Sequence, residues 1–214
     1  MITLYVGEMK KRIEKTVIYP HEILWRSSLQ SLELIDGSES AREDRLSIQA
    51  LLTGFLSFEG FINYLGLEMF PRIWNNEREF FSQGDYIGIE GKVAYLFEEL
   101  PDLELRKGEE PYQTFKKAKD MRDKLSHPKP FQYTKIIEFK NSDIDNYPDF
   151  STEWKEYEGK KNTWTALNRL KELAEILRSK AAEIQDDYYK DHLWHKAFEG
   201  PLGSTSGETE TINP

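Results

Sequence analysis

Apolar positions recur at three- and four-residue steps along most of this chain, a period that belongs to helices laid against a common core. The strongest run spans about Glu43 to Leu65, where Ile48, Leu51, Leu52, Phe55, Phe58, Ile62 and Leu65 form one stripe, with Ser38 and Ser40 upstream as capping candidates. His21 to Leu34 carries Ile23, Leu24, Leu29 and Leu32, with Ile35 beyond, and fits a short helix better than a strand. Pro71 suits the first turn of a further helix that carries Ile73, Trp74 and the polar run Asn75 to Glu79, and Ile87 to Leu100, stopped by Pro101, is another. After a loop rich in charge and glycine, Asp102 to Glu110, Pro111 opens a helix through Tyr112, Phe115, Ala118, Met121 and Leu125. That helix ends at His127, because a residue before proline is pushed out of the helical region and Pro128 and Pro130 cannot continue the ladder. From about Asn162 to Phe198 the positions Trp164, Leu167, Leu170, Leu173, Ile176, Leu177, Ala181 and Ile184 predict one long amphipathic helix, broken near Asp186 to Tyr189.

Strand signals are few. Ile2 to Val6 and Thr16 to Tyr19 read as a hairpin around the charged Glu8 to Lys15, and Tyr133 to Phe139 alternates as a strand able to join it in a small accessory sheet. Asn141 to Phe150 is loop-like, and Gly200 to Pro214, nearly free of bulky apolar residues, reads as a disordered tail. The expected fold is therefore mainly α: an antiparallel helical bundle at 38–199 with an insertion at 131–160, preceded by an extension at 1–37 that holds the hairpin and the short helix. There is no internal repeat.

Composition narrows the picture. A length of 214 residues favours one main domain, and 38% hydrophobic with 13% aromatic residues can close its core without staples. Cysteine is absent, which removes disulfides, thiolate catalysis and cysteine-ligated metals. The first residues lack the long apolar core of a signal peptide, and the apolar-rich stretch Ala50 to Leu67 is interrupted by Thr53, Ser57, Glu59, Gly60 and Asn63, so a cytoplasmic protein without a membrane span is expected. A net charge of −9 opposes whole-surface binding to nucleic acid, although a local basic site remains open.

Such a site has a candidate. Between Phe115 and Pro130 lie Lys116, Lys117, Lys119, Arg122, Lys124 and Lys129, opposed in sequence only by Asp120 and Asp123, a basic island in an acidic protein. From charge alone, a solvated helix face with alternating charges explains it better than a phosphate site does. Within the island, Arg122 is followed by the polar Asp123, three residues, and then His127-Pro128. This resembles the signature of the HEPN superfamily, an arginine, usually with a polar residue after it, and a histidine four to six positions further on. The trailing Pro-Lys-Pro and the upstream Phe58-Glu59-Gly60-Phe61-Ile62-Asn63 are similar in style to family members, and the likeness covers the helices from Glu43 to Pro130 and the last long helix.

The resemblance implies a HEPN-like helical bundle that forms a homodimer, so that two motifs meet in a shared cleft. It also implies metal-independent cleavage of RNA, with no cofactor, in toxins or defence effectors that can have a cognate antitoxin; other members have lost catalysis and serve in RNA, nucleotide or protein binding. In physical terms, attack by a 2′-hydroxyl needs proton transfers and a cation near the phosphorane. His127 would move the protons, Arg122 would supply the charge, and Asp123 would orient a side chain or the RNA. Lys119, Lys124, Lys129 and Ser126 would bind substrate, with Glu59 and Asn63, one helical turn apart, as supporting residues that line the cleft and hold Arg122, although such a buried polar pair more often just fixes helix register. Five positions along an ideal helix turn two side chains about 140° apart, so Arg122 and His127 need a distorted helix end or a partner subunit to converge. The competing account pairs Arg122 with a carboxylate such as Glu59 and leaves His127 as a helix cap. His192 and His195, spaced for one helical face near Asp187 and Asp191, read as a packed helix end rather than metal ligands, and no metal site is expected. Ser126 lacks the ordered partners of a nucleophile, and no glycine-rich phosphate loop is present.

Overall fold

The computed structural model describes residues 13–15, 19–35, 40–126, 157, 159–184 and 208–210. The chain forms two compact units, Met1–Tyr19 with Gly200–Pro214, and Pro20–Glu199. In the first, β1 (Ile13–Lys15) pairs antiparallel with β2 (Glu208–Glu210), with Ile13 opposite Glu210 and Lys15 opposite Glu208. This differs from the expectation. The strand falls in the charged stretch between the two β-favouring runs, and its partner comes from the segment read as a disordered tail. Backbone pairing does not require apolar side chains, so hydropathy alone does not find it. Residues 2–6 and 133–139 lie outside the described residues.

The second unit is helical throughout its described part: α1 (Pro20–Glu33), α2 (Ser40–Met69), α3 (Pro71–Trp74), α4 (Glu77–Phe80), α5 (Gly88–Glu99), α6 (Tyr112–Ser126) and α7 (Gly159–Ile184). α2 is its axis and touches α1, α3, α5, α6 and α7. Leu51, Phe55, Phe58, Phe61, Ile62 and Leu65 are fully buried along α2, and Val93 and Leu96 from α5, Phe115 and Ala118 from α6, and Leu167, Leu170 and Leu177 from α7 meet them. At the centre Phe115 packs on Phe55 and Phe58, with ring centroids 5.9 and 5.3 Å away. By length and composition the Arg42–Met69 stretch could cross a bilayer, but this apolar face is enclosed by the other helices.

α1, placed by the sequence in an N-terminal extension, belongs to this unit. Trp25 and Leu32 are buried in the core, Ser28 donates to the Ala50 carbonyl at 2.7 Å, and Ser57 donates to the His21 carbonyl at 2.6 Å. The two helices come close because Gly54 faces both Ser28 and Leu167; a Cβ there would lie 2.3 Å from Leu167 Cδ2.

The single helix expected from Pro71 is two separate turns. Pro71 does open α3, but the backbone leaves the helical region at Asn76, and α4 restarts it. The cause is tertiary: Trp74 seats its indole against Gly66 of α2 and joins Phe70, Phe81 and Tyr95 in an aromatic cluster. α2 runs longer than its stripe suggests at both ends. α7 begins at Gly159 rather than Asn162, and its Trp164, counted on the buried stripe, is 44% exposed. The expected continuation to Phe198 lies outside the described residues.

Candidate functional site

α6 is built to present its last turn. Glu110 caps its start by accepting from the Thr114 backbone N–H at 3.2 Å, and Tyr112, Phe115, Ala118 and Met121 bury one face. That burial places Lys119, Arg122 and Asp123 along the edge where α6 meets α2 and α5.

Arg122 donates from Nη2 to Glu59 Oε2 of α2 at 3.0 Å and approaches Asp123 Oδ1 with Nη1 at 2.9 Å. Its guanidinium carbon sits 5.4 Å from the Phe55 ring centroid, and its Nε is buried with no acceptor. Lys119 reaches three carboxylates: Asp123 Oδ2 at 3.1 Å, Glu90 Oε1 of α5 at 3.2 Å and Asp120 Oδ1 at 3.8 Å. Asp123 thus joins the two cations. Burial lowers the Lys119 pKa, but its hydrogen bonds to Asp123 and Glu90 outweigh that and raise it above the ordinary lysine value, so the ammonium stays charged. The Tyr112 hydroxyl lies 3.5 Å from Glu90 Oε2; burial, then the nearby carboxylate, raises its pKa.

No family model, curated protein or solved structure matches this chain. The site is therefore read from its own geometry.

Of the residues singled out in the sequence, Arg122, Asp123, Lys119 and Glu59 come together. Lys124 and Ser126 are exposed on the final turn of α6. His127 and Lys129 lie outside the described residues, as do His192 and His195. Asn63, expected beside Arg122, is elsewhere: its Oδ1 accepts from Lys92 Nζ of α5 at 2.7 Å. Lys92 also donates to Glu77 at 2.6 Å and lies 5.5 Å from the Phe81 ring centroid, a half-buried cation that sequence reasoning passed over. Glu90, too, was missed. A lone glutamate in the first turn of a helix is ordinary by dipole alone, and only the packing of α5 against its neighbours shows what it faces.

Charge at the site differs from the charge of the segment. In the described ion pairs of Arg122 and Lys119, these two cations lie within 4.0 Å of four carboxylates, Glu59, Asp123, Glu90 and Asp120, so the six paired groups sum to a negative charge. Among the described residues no group of three or more acidic or histidine side chains is placed to hold a metal ion.

Proposed function

We propose that this chain is a HEPN-like helical domain acting on RNA, a metal-independent endoribonuclease in which Arg122 and His127 form the central pair. The supporting observation is the position of Arg122. It stands near the C-terminal end of the amphipathic α6, at the junction with α2, with Asp123 bound to its guanidinium. In this reading Arg122 stabilises the charge on the phosphorane, His127 moves protons between the 2′-hydroxyl and the leaving 5′-oxygen, and Asp123 orients Arg122. A second copy of the chain brings the paired motifs together, and Lys124 and Ser126 on the exposed final turn meet the RNA backbone.

A second reading has its own support. The Glu59–Arg122 ion pair is what a structural arginine would make, and it favours a non-catalytic domain of the same build that binds RNA, nucleotide or protein. The two separate in one experiment: incubate single-stranded RNA with the purified protein in chelator and follow fragments on a denaturing gel. Cleavage that disappears in both Arg122→Ala and His127→Ala supports the nuclease. Intact RNA with a wild-type protein shown to be folded rejects it in favour of binding.

A further inference from the structure

From the ion pairs around Arg122 and Lys119, we infer that Glu59 and Glu90 form a carboxylate gate that keeps both cations occupied, so that an RNA phosphate must displace a carboxylate to bind. The inference rests on the RNA reading above and adds two gating residues to it, Glu59 from α2 and Glu90 from α5.

The geometry supports displacement rather than simple addition. Nη2 of Arg122 is taken by Glu59 at 3.0 Å and Nη1 by Asp123 at 2.9 Å, while Nε is buried and faces no acceptor. Each terminal nitrogen keeps a second N–H, but a phosphate that binds guanidinium through two parallel N–H groups must do so beside carboxylates already bonded to both of those nitrogens. Lys119 is held in the same way by Glu90 and Asp123. An arriving phosphate therefore meets carboxylates first, and its attraction to the two cations is offset by repulsion from four acids at similar range. Yet the ties can be broken: the side chains of Glu59 and Glu90 are 30% and 34% exposed, so water can take over a displaced carboxylate. In a protein of net charge −9, this arrangement suppresses casual contact with polyanions and admits a strand already held by other contacts. Asp123 belongs to α6 itself and moves with the cations. Glu59 and Glu90 come from other helices, so their ties to the cations also depend on how α2 and α5 pack against α6.

Glutamine tests this cleanly, because it keeps the hydrogen-bond acceptor and removes the charge. Binding of a fluorescein-labelled single-stranded 2′-O-methyl RNA oligonucleotide, which has no free 2′-hydroxyl to attack and so stays intact, is followed by fluorescence anisotropy in EDTA, across a KCl series. The proteins are the full chain and its Glu59→Gln, Glu90→Gln, double Glu59→Gln/Glu90→Gln and Glu59→Gln/Arg122→Met variants. Glu33→Gln, which removes the same charge from an exposed position on α1, is the control, and thermal melts verify folding. Each gate variant should bind RNA about tenfold more tightly than wild type, and the double variant should show a steeper dependence of log affinity on log salt, by about 0.7 for each cation released. Arg122→Met should abolish the gain from Glu59→Gln, while Glu33→Gln should leave affinity within about twofold. Wild-type binding that the glutamine variants leave unchanged or weaken, or an equal gain from Glu33→Gln, overturns the gate alone. Absence of RNA binding in every folded variant overturns the gate and the RNA reading together.

Discussion

Lowering the pH should destabilise this protein through one residue outside the candidate site, packed on the same turn of α2 that carries Glu59. His21, at the second position of α1, is 3% exposed, stacks on Tyr64 at 5.5 Å between ring centroids and meets Phe61 edge-on at 5.9 Å. Burial pushes its imidazole from 6.5 down to about 4. The unfolded chain takes up a proton on this residue near 6.5, whereas the folded one resists until about 4. The stabilising difference is therefore complete above pH 6.5, shrinks as the pH falls, and is fully lost below about 4. At about 1.4 kcal/mol per pH unit across that interval, the loss amounts to about 3 kcal/mol, a large share of the stability of a domain this size. Urea unfolding followed by circular dichroism, at steps from neutral pH to about 4.5, gives the profile for wild type and for His21→Gln. Carboxylates contribute equally to both profiles, so the wild type should lose about 2 kcal/mol more than the variant over that range. Parallel profiles, or an imidazole resonance of His21 titrating near 6.5 in the folded protein, would refute the reasoning.

Other substitutions test the packing. Gly66→Ala would put a Cβ 1.9 Å from the Trp74 ring, and a loss of about 1–3 kcal/mol with a shift in tryptophan emission is expected in urea titrations. Phe115→Ala empties the centre of the core and should cost about 3–5 kcal/mol, measured in the same way, unless α6 closes the cavity. For the half-buried pair Glu59 and Arg122, a double-mutant cycle with Glu59→Gln and Arg122→Met should return a coupling of about 1 kcal/mol that falls with added salt. A coupling near zero would mean that the pair does not hold α6 to α2.

The helical stripes of α2, α5 and α6 were legible because a helix that buries one face writes its period into the sequence, and Pro101 and Pro111 punctuate the chain between them. The split between α3 and α4 was not, since a four-residue turn carries no period and the break answers to Trp74 packing on Gly66. At the site, the Glu59–Arg122 pairing was visible as one of two accounts of the motif. The separation of Asn63 from it was not. Four positions along a helix add about 40° of rotation and about 6 Å of rise, enough to carry Asn63 from the α6 junction to Lys92. Glu90 is joined to Lys119 only by the tertiary arrangement, and nothing local marks that association.

The terminal turn of a helix ordinarily frays, because its carbonyls lack partners inside the ladder. Here Arg122, immediately before that turn of α6, is tied to the central helix through Glu59. Backbone amides from Arg122 to Ser126 should consequently exchange with deuterium more slowly than those at the equally terminal end of α7.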